Sequence, residues 1–265
     1  MTDNKIAIIG GGNLGRAVAE GLVKSKFCAP QNIMVTKRNI ATLSDLSAMG
    51  ITVSSDNAAA VKFADIILLA IKPYQAAEVI AGIKQHLDSN RHILCSVVTG
   101  FTIEQITTAI GNDFPVIRAM PNTAIAIGQS MTCLCFANAN ENQKLAIESL
   151  FNQIGKVAFI NENLMDAATV LGACGIAYAL RFIRANIQGG IEIGFDAATA
   201  TLIASQTVKG AAELLIQTGH HPEQEIVKVT TPKGCTIAGL NEMEHQGFSS
   251  SLIKGITVSY QKIGK

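Results

Sequence analysis

The residues with the plainest chemical potential lie at the start of the chain. In "IAIIGGGNLGRAV", Gly10, Gly12 and Gly15 form a GxGxxG pattern directly after an apolar, strand-like run and at the mouth of a helical one. That context gives an otherwise weak pattern its meaning. Gly10 permits a tight turn, Gly12 lets the backbone approach a pyrophosphate, and Gly15 allows close helix–strand packing. The helix N-terminus then faces the negative charge of the ligand. A site for NAD usually carries an Asp or Glu about 20 residues further on, to hydrogen-bond the ribose 2′-hydroxyl. Here the corresponding stretch is "IMVTKRN", and Thr36, Lys37 and Arg38 offer a hydroxyl and two cations instead. These suit a 2′-phosphate, so NADPH is the expected cofactor and NADH a weaker alternative. Late in the chain, in "VTTPKGCTIAGLNEMEHQGF", a rigid Pro232-Lys233-Gly234 turn runs straight into a helix start. Neither a hinge nor a linker requires such a turn.

The elements that must position these residues divide the chain in two. As far as about Ile160, the runs Ile6–Ile9, Ile33–Val35, Ile66–Ile71, Ile93–Val98, Val116–Met120, Met131–Phe136 and Val157–Ile160 read as strands. Several are continuous apolar runs, as in a parallel sheet covered on both faces. Helices fit between them: Leu14, Val18, Gly21 and Leu22 keep helical spacing, and Thr102 with Gln105, and Asn140 with Gln143, have capping-box spacing. Residues 1–160 are therefore expected to form a doubly wound, mostly parallel α/β domain that binds the dinucleotide. From Asn161 onward strands are hard to find, and residues 161–265 are expected to be all-helical. The candidates are Asn163–Gln188, Asp196–Thr218 closed by Gly219, Thr236–His245 and Ser250–Ile263. The first two hold the uncharged stretches Ala167–Leu180 and Ala197–Val208, and helices apolar or small all round are usually buried on every side. So short a segment cannot easily bury two such helices alone, and a second copy of the domain is expected to cover them, as a dimer or higher homo-oligomer. The alternative is that they pack on the sheet domain of the same chain.

Composition narrows the classes. With 48% apolar and 15% charged residues the chain has ample core and no signature of disorder. The formal net charge is +1 and no basic run interleaves with aromatics, so nucleic acid is not an expected partner. The first apolar stretch carries Asp3 and is cut short by glycines, which suits a buried strand rather than a secretory signal. Ala167–Leu180 is shorter than the about 20 residues of a membrane span. The six cysteines show no CxxC spacing, and Cys133 and Cys135 simply alternate on one strand face. The expectation is a reduced, cytoplasmic protein with no membrane partner and no metal site.

Over nearly its full length the chain resembles the pyrroline-5-carboxylate reductases. The supporting stretches are "IGGGNLG", "AIKPYQ" (Ala70–Gln75), "VIRAMPNTAIAIGQSMT" (Val116–Thr132), "NENLMDAATVL" (Asn161–Leu171) and "VTTPKGCTIAGLNEMEHQGF", in this order and at these separations. The resemblance implies reduction of the cyclic imine 1-pyrroline-5-carboxylate to L-proline with NADPH, the last step of proline biosynthesis. It also implies a Rossmann-like domain followed by a helical dimerisation domain. For the cofactor it implies contacts at Gly11, Asn13 and Leu14, at Thr36, Lys37 and Arg38, at Asn57, at Ile71, Lys72 and Pro73, and at Thr99. For Lys72 the plain alternative is surface charge; Asn122 could orient the nicotinamide or merely cap a turn. The late turn now has an occupant, since the family's substrate carboxylate is held by the segment that matches "PKGCT", implicating Gly234, Cys235 and Thr236. Consecutive backbone N–H groups at a helix N-terminus make an anion site without a fixed cation. Thr236 could cap the helix, reach the ring nitrogen as the catalytic contact, or do both. Glu162 matches a substrate-contacting position, though it could simply favour a helix N-terminus.

The implied chemistry is hydride transfer to an imine carbon, helped by orientation and exclusion of water more than by a strong acid. No histidine falls in these motifs, and His220 and His221, beside Pro222, are expected to serve a helix C-terminus. Some residues depart from the family. Its Ser-Gly-Ser-Gly-Pro-Ala-Tyr is here "GACGIAY", Gly172 to Tyr178, and its "PGGTT" is "PKGCT". Loss of a helical proline, a residue that costs about 3 kcal/mol inside a helix, predicts a straighter helix here. Cys174 and Cys235 both fall in altered motifs, so thiol reagents are expected to inhibit unless both are buried and inert. A β-hydroxyacid dehydrogenase shares the layout but needs a lysine where Ile176 stands. Another NADPH-dependent imine reductase, or a non-catalytic NADP-binding relative, fits the remaining motifs.

Overall fold

The structure, a computed structural model of the single chain, describes residues 3–263. It comprises two compact units, one running to Cys174 and joined by Ile263, the other Gly175–Lys262.

The first unit is built on an eight-stranded sheet. Its strands are β1 (Ile6–Ile9), β2 (Ile33–Thr36), β3 (Thr52–Ser54), β4 (Ile66–Leu69), β5 (Ile93–Ser96), β6 (Val116–Met120), β7 (Ser130–Ala137) and β8 (Gly155–Phe159), in the order β3-β2-β1-β4-β5-β6-β7-β8. All neighbours from β3 to β6 pair in parallel; β7 is antiparallel to β6, and β8 runs with β7. The chain winds outward from β1 through β2 to β3, then crosses back to β4 on the other side of β1. The winding reverses between β1 and β4, which makes their C-terminal ends the ligand crevice of such a sheet.

Strand sequence explains the layers. In β1, Ile6 and Ile8 join one buried cluster with Leu22, Leu68 and Phe151, while Ala7 and Ile9 join another with Ile67, Leu69 and Ile80. Period-two alternation thus feeds two cores, one on each face, and β1, β4, β5 and β6 are buried at every residue. The covering helices are α1 (Asn13–Lys24), α2 (Ser44–Ala48), α3 (Asn57–Phe63), α4 (Ala76–Ile83), α5 (Ile103–Ile110) and α6 (Glu141–Asn152). The two capping boxes read from the sequence are present: the Thr102 hydroxyl accepts from Gln105 N–H (3.2 Å), and Asn140 Oδ1 from Gln143 N–H (3.0 Å). The doubly wound expectation therefore holds. The edge strand β3 was not expected, because three half-exposed residues leave little pattern.

After β8 the chain becomes helical without interruption from Glu162 to Glu192. This run comprises a 3₁₀ turn (Glu162–Leu164), α7 (Met165–Ala168), π-helical turns over Thr169–Cys174, and α8 (Gly175–Glu192). Where a straighter helix was expected from the missing proline, the chain instead takes π turns that run into the start of the altered "GACGIAY" motif. Glycine at 172 and 175 lets the backbone widen there even without proline. The length argument against a membrane span also needs correction. The helix Glu162–Glu192 is 31 residues long and holds an 18-residue stretch with a mean hydropathy of 1.4, which is long and apolar enough to cross a bilayer.

The second unit contains α8, α9 (Ala197–Thr218), α10 (Pro222–Lys228), α11 (Cys235–His245) and α12 (Phe248–Lys262). Asp196 caps α9 through two backbone N–H groups, and Gly219, in the left-handed region at φ 66°, ends it. Phe182 packs against Phe248 with ring centroids 5.9 Å apart, and Tyr178 Oη donates to Ser259 Oγ at 2.6 Å. Yet α8 has no buried residue and α9 only Ala200 and Ala204. Leu180, Leu202 and Ile216 stand 59%, 70% and 73% exposed, so within one chain these helices are far from covered. His221 does not serve the end of α9. It caps the start of α10, where its Nδ1 accepts from Glu223 N–H at 3.3 Å, because Pro222 supplies a preset first helical residue.

Candidate cofactor and substrate sites

The glycine loop follows β1 at the crevice. Gly10 has φ 116°, and a side chain there would place its Cβ 2.2 Å from the Ala70 carbonyl oxygen, so the residue that follows β4 leaves no room for any other residue. A Cβ on Gly15 would lie 2.1 Å from the Gly10 carbonyl oxygen, whereas one on Gly12 would meet nothing within 4 Å. The loop is thus tight on its inner side and open on its outer side, where a ligand approaches. The N–H groups of Gly10 and Gly11 donate to the Thr36 carbonyl at 3.1 and 2.8 Å, which fixes the end of β2 beside the loop. Gly12 is the N-cap of helix α1, which has no side-chain cap and no acid in its first turn, so Asn13 and Leu14 present N–H groups with no partner within the helix.

The basic turn divides differently from the sequence expectation. The Thr36 hydroxyl is buried, 1% exposed, and donates to Asn57 Oδ1 at 2.6 Å, so it acts inward and joins two of the expected cofactor residues. Lys37 is half-buried and its N–H donates to the Ser54 carbonyl; Arg38 is exposed, 3.8 Å from Glu78. At that exposure the Arg38–Glu78 pair is weak and leaves the guanidinium available. After β4, Ile71 is half-buried, and Lys72 and Pro73 are exposed at a 3₁₀ turn pinned by Gln75, whose Oε1 accepts from Lys72 N–H at 3.3 Å. Thr99 is exposed after β5, on the same sheet edge.

Two other expected residues are engaged within the first unit. Asn122 is 7% exposed; its Oδ1 accepts from Ala124 N–H (3.0 Å), and its Nδ2 donates to the Gly172 carbonyl in the π turns (3.3 Å). It caps a turn and ties that turn to the altered motif. Glu162 Oε1 accepts both from the backbone N–H of Ile103, the first residue of α5, at 2.6 Å and from Arg118 Nη1 at 2.9 Å. Arg118 was quoted in the sequence only as part of "VIRAMPNT". Its signal was there to be read, as a lone cation in a strand otherwise apolar and buried.

In the second unit, the Pro232 turn delivers Gly234 as the N-cap of α11, with no side-chain cap. Thr236 therefore lies inside the first turn and is not the cap, which removes one of its two expected roles. A Cβ on Gly234 would lie 2.5 Å from the Thr231 hydroxyl oxygen, so a larger residue would have to push that side chain aside, and the first N–H groups of α11 have no side-chain cap. Lys233, where the family has glycine, is held in the left-handed region at φ 58°. Cys235 is exposed and Cys174 half-buried. Burial raises the pKa of Cys28, Cys95 and Cys133, and burial with the nearby Glu162 carboxylate pushes Cys135 up to about 11. No cluster of metal-ligating side chains occurs among the described residues.

Fold and loop together define a dinucleotide-binding α/β chain carrying a separate helical unit. Residues 5–100 match the family model described as NADP oxidoreductase coenzyme F420-dependent, and residues 162–265 match the one described as pyrroline-5-carboxylate reductase dimerisation. Pyrroline-5-carboxylate reductase 2 of Dictyostelium discoideum is 41% identical over 100% of this chain and 94% of its own length. Pyrroline-5-carboxylate reductase 1 of the same organism is 47% identical over 99% of this chain, which spans only 50% of that protein's length. The crystal structure of Plasmodium falciparum pyrroline carboxylate reductase with NADP bound superposes with a TM-score of 0.90 at 25% identity, covering 99% of this chain and 97% of that one. The chain belongs to the pyrroline-5-carboxylate reductase family.

Proposed function

We propose that the protein reduces 1-pyrroline-5-carboxylate to L-proline with NADPH. The observation that carries this reading is the glycine loop, tight against β4 and open outward at the point where the sheet winding reverses. Residues 1–160 form the NADP(H)-binding domain and residues 161–265 the helical dimerisation and substrate-binding domain. Gly10 to Gly15 and the open start of α1 fit a pyrophosphate, and Lys37 and Arg38 fit a 2′-phosphate where an NAD site carries a carboxylate. The Plasmodium relative's bound NADP supports the same choice. When bound, NADPH supplies the hydride for the C=N carbon. Asn57, held by Thr36, and Ile71, Lys72, Pro73 and Thr99 line the cofactor along the sheet edge.

The open N–H groups of α11 at Gly234, Cys235 and Thr236 take the substrate carboxylate, and the Thr236 hydroxyl hydrogen-bonds the ring nitrogen. Asn122 and Glu162 act indirectly, by holding the turns around them. The exposed apolar faces of α8 and α9 are covered by a second copy of the chain, which also accounts for the apolar helix without a bilayer. The protein works in the cytoplasm. Mixing it with NADPH and 1-pyrroline-5-carboxylate, following nicotinamide absorbance and assaying proline, tests the reaction; repeating with NADH tests the cofactor. Binding of NADPH with no proline formed would refute the substrate assignment. Iodoacetamide is expected to reach Cys235 before the buried thiols and to raise the KM for the imine.

A further inference from the structure

We propose that Arg118 is a positioning residue for cofactor binding: it holds Glu162 on the N-terminus of α5 and so fixes the β5–α5 loop that carries Thr99. The inference rests on the cofactor assignment above. Strands β1, β4 and β5 are parallel with Ile9, Leu69 and Ser96 in register, and Ser96 pairs with Arg118 on β6. The loop after β5 therefore leaves the sheet at the same edge as the glycine loop and Lys72. Its first residues, Val97 and Val98, are buried, whereas Thr99 and Gly100 are exposed and Gly100 has φ 68°.

The far end of this loop depends on Glu162. The Thr102 hydroxyl caps α5 by accepting from Gln105 N–H, which leaves the Ile103 N–H to the Glu162 carboxylate at 2.6 Å. A carboxylate suits a helix N-terminus and a cation does not. Glu162 lies between the two, one oxygen accepting from the helix and from Arg118 Nη1 together. Arg118 is 3% exposed, and its Nη2 has no hydrogen-bond partner among the described residues. Only the arginine of this pair is buried, the Glu162 side chain being 33% exposed, and a buried cation with one nitrogen unpartnered is a poor source of stability. Orientation of Glu162 gives the arginine a reason to be there that stability does not.

The test is NADPH affinity, measured by fluorescence titration without substrate, with thermal melts in parallel. Arg118→Met is expected to melt cooperatively and to weaken NADPH binding about tenfold, the equivalent of one charge-assisted hydrogen bond. Glu162→Gln is expected to weaken it by a similar factor, Arg118→Lys to restore most of the loss, and the double variant to bind no worse than the weaker single one. Wild-type affinity in Arg118→Met, or losses that multiply in the double variant, would overturn the proposal. If Arg118→Met does not fold, wild-type affinity in Glu162→Gln overturns it equally. Failure of the unaltered protein to bind NADPH would instead sink the cofactor assignment, and this inference with it.

Discussion

The sheet unit and the helical unit bury their apolar residues in different ways. In the first, every residue of β1, β4, β5 and β6 is covered within the chain, and Phe151, Leu22 and Leu69 are fully buried. In the second, two long apolar helices keep only Ala200 and Ala204 from solvent. Both read as apolar in sequence. The difference is that a sheet clothed on two faces closes its core with local neighbours, whereas a helical hairpin with apolar residues all round needs more surface than so short a segment supplies.

The largest expected effect sharpens that contrast. Phe151→Ala removes a fully buried ring from the sheet core and is expected to cost about 3–5 kcal/mol in urea unfolding, at any protein concentration. Leu202→Asp, on the exposed face of α9, is expected instead to abolish self-association in light scattering and to remove the concentration dependence of Tm. A Leu202→Asp protein that keeps the oligomer mass would break the comparison.

Next in size are the glycines. Gly10→Ala meets both the Ala70 carbonyl and a positive φ, and is expected to lower Tm and abolish measurable NADPH binding. Gly12→Ala has room for its Cβ, so it should melt as the wild type and lose only NADPH affinity.

A smaller effect concerns pH. His92 is 2% exposed; its Nδ1 accepts from Asp88 N–H at 2.9 Å, and its Nε2 has no partner among the described residues. Burial, and then the Arg91 cation, hold its pKa below the usual 6.5, against the opposing pull of Asp88 and Asp65. The unfolded chain therefore takes up the proton first. Stability is unaffected above that ordinary value and falls as pH drops through it, levelling off below the folded pKa. His92→Gln is expected to flatten that acid slope in chemical denaturation, and an unchanged slope would assign it to another group. Smallest is Lys233→Gly, which relieves a left-handed non-glycine residue and is expected to raise stability by no more than about 1 kcal/mol, read as a small rise in Tm.

Much of the fold was legible. Continuous apolar runs marked the central strands, and capping boxes at Thr102 and Asn140 marked α5 and α6. The edge strand β3 was missed because its residues are only partly buried, and α10 because seven residues without buried positions carry no periodic signal. Of the candidate site, the glycine loop was readable because each glycine answers to a nearby backbone atom or to open space. The engagement of Thr36 with Asn57, and of Glu162 with Arg118, was not, since those partners lie 21 and 44 residues apart. Thr236 lies two positions inside the helix it was expected to cap, and His221 caps the start of α10 rather than the end of α9.

By itself the sequence determined the alternation of the central strands and helices, the glycine loop, the basic turn after β2, and the family. These rest on local periodicity and on motifs whose residues are neighbours along the chain. Only the tertiary structure decided which polar groups point inward and which stay open: the Thr36 hydroxyl spent on Asn57, the Glu162 carboxylate shared between a helix end and a buried arginine, the first turn of α11 left uncapped. Such choices depend on where distant strands and helices bring their donors and acceptors together, and burial makes each pairing matter far more than it would in water.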